Sequence, residues 1–353
     1  MTAETSRPGS RRLLIAGGGL PSLALALALK QAHGPALAVT VIDPAGADPG
    51  RHRGRAYALA AGGRRMLAQL GLWTRVAGAA EPITEMVISD SRLADPVRPV
   101  FLTFGQDADD REAGEPFAHM VEAEPLAEAL AEACRAAGVT FVAAGVERAV
   151  PEGAAIRAAL TTGDALKGDL LVAADGARSR LREAARIGWV GWSYPQVGIV
   201  ATIGHARPHG GRAFEHFLPA GPFAILPLRG GGPFGHRSSI VWTERADEAD
   251  ALLCGEPDEV LREIERRFTL DLGALALEHG PSRHPLSLGL ARAFRADRLA
   301  LLGDAAHVIH PIAGQGLNLG LADAAALAEA VTGALRLGLD PGSPDVLRAY
   351  ECA

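Results

Sequence analysis

The residues best placed to do chemistry are concentrated in one stretch, 298–337, RLALLGDAAHVIHPIAGQGLNLGLADAAALAEAVTGALRL. It opens as an apolar run, 299–302, of the length expected for a buried strand. Gly303-Asp304 ends that run and puts a carboxylate at its C-terminal edge, where open α/β sheets bind ligands. A turn through His310-Pro311 and Gly314-Gln315-Gly316 follows. A helix then begins, with Leu317, Leu321, Ala324, Ala328, Val331 and Leu335 on one face. Glycines at its start let a ligand approach the unpaired N–H groups of the first turn at Gly314, Gly316, Leu317 and Asn318. Those groups and the helix dipole favour negative charge. The stretch thus offers one fixed carboxylate, Asp304, for a hydroxyl-bearing chain, and a preformed anion site. That pair suits a sugar-alcohol chain joined to a ring that becomes anionic on reduction, a description that reduced flavin meets. Gly-Asp after a buried strand is common, but packing alone does not account for so many special residues in so short a span.

Such a site needs strands and helices to hold it. Residues 12–16 read as a first strand, followed by Gly17-Gly18-Gly19-Leu20-Pro21-Ser22, a GxGxxG pattern with Ser22 in the third place. Gly17 and Gly19 permit a tight turn and close approach to a pyrophosphate, and Ser22 adds little volume where helix and strand meet. Residues 23–29 alternate Leu and Ala, superficially a strand period, but strong helix formers without β-branching predict a buried helix. A second strand, 39–42, ends in Asp43, about 20 residues past the glycines, where a dinucleotide fold holds ribose hydroxyls. This acid does not separate FAD from NAD. Ser10-Arg11-Arg12 before an apolar run also looks like a twin-arginine signal peptide. The strand–turn–helix reading is preferred because later motifs must pair with it.

A third acid-tipped strand is 169–174, followed by Asp175-Gly176-Ala177-Arg178-Ser179-Arg180. Read locally, it is a strand end with a helix cap. Taken together, GDAAHVIHPIAGQGLNLGLAD, the glycine turn and VAADGARSRLR resemble the flavin-binding motifs of the flavoprotein aromatic hydroxylases. Within that class the chain is most similar to the hydroxylases of ubiquinone biosynthesis, from about residue 13 to residue 351. The resemblance implies an α/β fold: a Rossmann-like, discontinuous FAD-binding domain (11–82, 105–185 and 286–353) with an inserted antiparallel-sheet substrate domain (83–104 and 186–285), after a flexible tail (1–10). It implies cofactor contacts at Arg55, in the stretch opening Arg-Ala-x-Ala-Leu, and at Asp175, Gly176 and Pro311. Asp175 and Gly176 serve both flavin and reduced pyridine nucleotide in relatives. Glu122 is a weaker candidate, equally read as a first-turn helix charge. The implied reaction is hydroxylation of a polyprenylated phenol in ubiquinone synthesis, using NAD(P)H as a transient co-substrate and O2 through a flavin hydroperoxide. A substrate of that kind implies peripheral attachment at the inner face of the membrane, or association with other enzymes of the route. The alternatives are a hydroxylase of a soluble aromatic compound and a non-catalytic flavin-binding subunit.

The remaining sequence sets bounds. At 353 residues, 48% hydrophobic and 22% charged, the chain has the composition of a globular enzyme with a sizeable core. A net charge of −6 without a basic block argues against a nucleic-acid partner. Cys134, Cys254 and Cys352 are few and scattered, so neither a disulfide framework nor a metal is expected, and a reducing cytoplasmic setting fits. The basic loop at Arg51 reads as solvated. Residues 83–89 and 100–104 read as strands of a second sheet, 125–137 as a helix and 146–167 as a meander. Between 189 and 285 the βαβ rhythm is lost: 196–203, 212–218, 223–227 and 238–243 read as antiparallel strands and 258–268 as a helix. His216 is a possible substrate contact, although a lone strand histidine is more often structural. Trp189 and Trp192 invite comparison with flavin halogenases, but two residues separate them where that motif has one. Tyr57, Tyr194 and Tyr350 are the only tyrosines, none is convincingly placed, and no catalytic base is named. Residues 346–353 begin a helix where relatives usually continue through a further helical region.

Overall fold

The computed structural model describes residues 11–95, 98–105, 116–267, 272–310 and 314–353. Its centre is a six-stranded sheet ordered 295–296, 299–301, 170–173, 11–16, 37–42, 140–142. All neighbours are parallel except the short pair at 295–296 and 299–301. Leu13, Ile15, Val39, Val41, Leu170 and Val172 are almost wholly buried, as expected when helices cover a parallel sheet. The register aligns Ile42, Ala16, Ala173 and Leu301 across four strands. Asp43, Asp175 and Asp304 therefore emerge along one C-terminal edge.

The Leu/Ala alternation is helical: Leu20–His33 forms one buried helix with Pro21 in its first turn. The run after Arg11-Arg12 thus forms the central strand and its helix. The helix Gln315–Arg336 packs beside Leu20–His33, and a Cβ on Gly320 would lie 2.7 Å from Pro21 Cγ, so glycine sets that close approach. Gly316 is inside the helix rather than in the turn before it. Ala123–Ala136 covers the same face of the sheet, with Leu126, Leu130 and Cys134 buried in the shared core. The expected meander is present as Val146–Glu152, Ala155–Leu160 and Ala165–Gly168.

A second, eight-stranded sheet is ordered 307–308, 275–291, 189–205, 236–245, 221–228, 212–218, 85–90, 100–104. It is antiparallel except where Arg212–Leu218 runs parallel to Glu85–Asp90. Two of its strands, Trp189–His205 and Leu275–Ala291, are each 17 residues long and pair along most of their length. The second of these, and the strand Ala56–Ala60, were not anticipated. A small sheet of Ala56–Ala60, Ala118–Glu122 and Glu81–Ile83 lies with the motif edge. Arg237 joins the two sheets with bonds to Glu122 (3.1 Å) and Glu278 (2.8 Å).

Candidate active site

Two adjoining cavities follow the acid-tipped edge. The smaller, about 470 Å³, is lined by Gly17, Asp43, Arg51, Asp175, Arg178 and Arg180, among others. The larger, about 750 Å³, takes in Ser22, Gly303, Asp304, Gly314, Gly316 and Leu317 and continues over the eight-stranded sheet. Gly19, His52, Arg55, Ala174 and Gly176 border both. The result is one elongated cleft.

At the first end, Gly17 has φ +112°, and a Cβ there would lie 2.1 Å from the Ala174 carbonyl oxygen. Only glycine lets the first turn sit so tightly against the neighbouring strand. The Gly18 amide donates to Asp43 Oδ2 at 2.7 Å and the Ala45 amide to Oδ1 at 2.9 Å. Arg51 donates to Asp43 Oδ1 at 2.8 Å and also to the Gly18 carbonyl. Burial alone would raise the Asp43 carboxyl, but these donors outweigh it and hold it below the ordinary value. The expectation of a solvated Arg51 is therefore wrong: its guanidinium closes the turn by bridging Asp43 and the glycine loop. Its partner lies eight positions back, and no local pattern announces it.

Asp175 lines the smaller cavity, yet its carboxylate is committed locally: it accepts from the Ser179 hydroxyl and, at 3.3 Å, from the Leu181 amide. Asp175 thus borders the cavity while its carboxylate supports the first turn of the helix Arg180–Ala184, whose N-cap is Ser179. Arg55, Arg178 and Arg180 also line this cavity, and among the described residues none of their guanidinium groups has an ion-pair partner.

Along the larger cavity, Asp304 follows the strand Leu299–Leu301 in a single helical turn, Gly303–Ala305. Its carboxylate is accessible from the cleft and takes no hydrogen bond among the described residues. The surrounding protein pushes it above the ordinary carboxyl value, against the pull of His307 and Arg55. Asp323, on the long helix, holds this turn: its Oδ2 accepts from the Gly303 amide at 2.9 Å and bonds His307 Nε2 at 2.7 Å. Burial lowers His307, but its bond to Asp323 outweighs that and leaves it raised.

Gly314 caps the long helix with φ +63°, and Gly316 and Leu317 present first-turn backbone to the cavity. Asn318 does not line either cavity. Its Nδ2 donates to the Ala58 carbonyl at 2.8 Å, and its Oδ1 accepts from the Ala60 amide at 2.9 Å. Its side chain therefore fastens the helix start to the strand Ala56–Ala60. Asn318→Ala is expected to cost about 1–3 kcal/mol, because the half-buried strand amide and carbonyl lose their partners; thermal melting measures it. Pro311 lies outside the described residues.

His310 lines the cavity, its buried Nδ1 has no partner among the described residues, and burial lowers its pKa. Tyr57 also lines it. Tyr194 packs edge-on to His310, and Tyr350 donates to the Leu301 carbonyl at 2.6 Å, away from the cleft. His216 lines neither cavity: it bonds the Ser89 and Ser91 hydroxyls at 2.8 and 3.1 Å on the opposite side of its strand, as the structural reading expects. Its neighbour Glu215 faces the cavity instead. Glu122 is occupied by Arg237. Trp192 is exposed beside Tyr194.

The cleft fits FAD on chemistry visible here: unpaired guanidinium groups midway for a pyrophosphate, an open carboxylate for a polyol, and helix first-turn backbone beside a roomy apolar space. Comparison with known proteins agrees. The FAD binding domain family matches residues 11–351. Ubiquinone hydroxylase UbiL of Rhodospirillum rubrum is 42% identical over 96% of this chain and 76% of its own length. The 3-demethoxyubiquinol 3-hydroxylase of Escherichia coli is 32% identical over 96% of this chain and 84% of its own. In fold, the chain is similar to the crystal structure of Pseudomonas aeruginosa PqsL in complex with 2-aminobenzoylacetate (TM-score 0.76, 24% identity, 97% of this chain and 91% of that one). The chain belongs to the FAD binding domain family and, within it, to the FAD-dependent hydroxylases.

Proposed function

We propose that this enzyme hydroxylates the aromatic ring of a polyprenylated phenol on the route to ubiquinone. The observation that carries the proposal is the larger cavity, which joins the flavin edge, at Asp304 and the Gly314–Leu317 turn, to an apolar sheet face. The names of the two relatives point to the same substrate class.

In this reading, 11–82, 105–185 and 286–353 hold the cofactor, while 83–104 and 186–285 carry the substrate. The strand Leu275–Ala291 crosses that boundary and ties the parts together. Gly17 and Gly19 admit the pyrophosphate, with Arg55, Arg178 and Arg180 offsetting its charge. Asp43 faces the ribose. Asp175 and Gly176 border its path, Ser22 backs the turn, and Asp304 accepts hydroxyl protons of the ribityl chain. Backbone at Gly303, Gly314, Gly316 and Leu317 flanks the ring, where the helix start favours the negative charge of the reduced form. Asn318 holds that helix start in place. FAD, when bound, passes electrons from NAD(P)H to O2, so that one oxygen atom enters the ring and the other leaves as water. The protein's part is to orient the ring and exclude water. In the same reading a membrane-resident phenol is reached by peripheral association; among the described residues no helix is long and apolar enough to cross a membrane.

The test is the visible spectrum of the purified protein, then NAD(P)H oxidation in air with 2-geranylphenol and with 4-hydroxybenzoate. Flavin bands, and oxidation coupled to a hydroxylated geranylphenol, are expected. Coupled turnover of 4-hydroxybenzoate alone would favour a hydroxylase of soluble aromatics, and bound flavin without NAD(P)H oxidation a non-catalytic subunit. Asp304→Ala is expected to weaken FAD retention by roughly 10- to 100-fold, the loss of charge-assisted hydrogen bonds. Unchanged retention would remove Asp304 from the site.

A further inference from the structure

The apolar part of the large cavity contains a carboxyl group without a hydrogen-bond partner among the described residues. Glu215 is 7% exposed, lines the cavity, and takes no hydrogen bond or ion pair among the described residues. Its position is fixed by register. On the eight-stranded sheet, Glu215 pairs with Ala224, Ala224 with Val241, and Val241 with Val200. All four line the cavity, forming one row across four strands with Glu215 as its only polar member. Burial raises its pKa, and no compensating donor opposes that. A buried carboxyl without a partner is costly. Buried polar groups of this kind find their partner in the protein, in ordered water or in a ligand. Here the carboxyl reaches a space large enough for an aromatic ring.

We propose that Glu215 hydrogen-bonds the ring hydroxyl of the aromatic substrate and thereby selects phenols over their methyl ethers. This rests on the hydroxylase reading above and adds the residue that recognises the hydroxyl. In either protonation state the carboxyl can accept the phenol's proton in a hydrogen bond, and in its neutral form it can also donate to the phenol oxygen. A methyl ether offers no donor and brings a methyl group against the carboxyl. The surrounding row of Ala224, Val241 and Val200 contributes contact area but no discrimination between the two.

The experiment titrates the FAD-loaded protein, without NAD(P)H, with 2-geranylphenol and with its methyl ether. Binding is read from the perturbation of the flavin absorption. The wild type is expected to prefer the phenol by at least about tenfold. Glu215→Leu should bind both equally, with the loss confined to the phenol. Glu215→Gln, which keeps an acceptor and a donor, should retain most of the preference. A merely structural role would weaken both ligands together. Wild-type preference surviving in Glu215→Leu overturns the assignment of Glu215 alone. Failure of the wild type to bind either ligand overturns the substrate reading and this inference with it. Glu215→Met, close to glutamate in volume, repeats the measurement should the leucine variant not fold.

Discussion

Gly17→Ala is expected to lose about 3 kcal/mol of stability or more and to emerge from purification without flavin. Two costs add. The backbone at φ +112° disfavours any side chain by about 1–2 kcal/mol. The new Cβ would also stand 2.1 Å from the oxygen and 2.6 Å from the carbon of the Ala174 carbonyl. Those are backbone atoms of the adjacent parallel strand, so no rotamer change relieves the overlap. The strands Arg11–Ala16 and Leu170–Ala173 must part, at about 1–3 kcal/mol. The first leads into the glycine turn and the second into Asp175, so the distortion lands on the smaller cavity. Gly62→Ala is the control. It lies in the helix Ala61–Gln69 with nothing within 4 Å of an added Cβ, and should be neutral or stabilising by up to about 1 kcal/mol. Melting temperatures and the ratio of flavin to protein absorbance report both variants. A Gly17→Ala protein that keeps its flavin and melts with the wild type would refute the tight-turn account.

The second large effect is expected at Asp323. One carboxylate oxygen serves both the Gly303 amide and His307, and both side chains of the pair are mostly buried. Removing it in Asp323→Ala leaves an N–H and an imidazole without partners, at about 3–5 kcal/mol. It also frees the turn that carries Asp304, so flavin retention should fall as well. The pair predicts a pH dependence of definite sign. His307 titrates above its ordinary value of 6.5 because its attraction to Asp323, reinforced by Asp304, outweighs burial. The folded state therefore holds that proton more tightly than the unfolded chain. The stability so gained is complete below the unfolded value and disappears as pH rises through the folded one. Wild-type melting temperature should decline as pH rises above the ordinary imidazole value of 6.5, and the decline should be shallower in Asp323→Asn and in His307→Gln. Equal slopes in all three proteins would assign the dependence elsewhere.

What could be read from the sequence followed from local geometry. An apolar run ending in an acid beside a turn residue recurs at Asp43-Pro44, Asp175-Gly176 and Gly303-Asp304, and each recurrence marks a parallel strand end. The structure places all three on one edge because the register aligns Ile42, Ala16, Ala173 and Leu301. Where the reading failed, the deciding contact was remote. Glu215 gave no signal in the sequence because it and its neighbour His216 are both buried; a strand covered on both faces has no polar side to give its phase. Asn318 carries the composition of a ligand contact, but its amide completes hydrogen bonds 258 and 260 positions away. The strand Leu275–Ala291 contains Gly280, Pro281 and Pro285, residues that signal breaks. It forms nonetheless, because its pairing with Trp189–His205 absorbs them through shifts of register.

The strand order has a consequence for how the enzyme comes into being. The central strand Arg11–Ala16 is flanked by 37–42 on one side and by 170–173 on the other, and the latter in turn awaits 299–301. On a ribosome adding roughly 5–20 residues per second, the first strand keeps an open edge for many seconds before its second neighbour is made. The edge at 170–173 then stays open in its turn until 299–301 are made. The flavin cleft, drawn from both ends of the chain, cannot close until the helix beginning at Gln315 has been synthesised. Cofactor capture is thus a late event in biogenesis. Until then the nascent chain presents bare, apolar strand edges of the kind that chaperones shield and that otherwise join neighbouring chains.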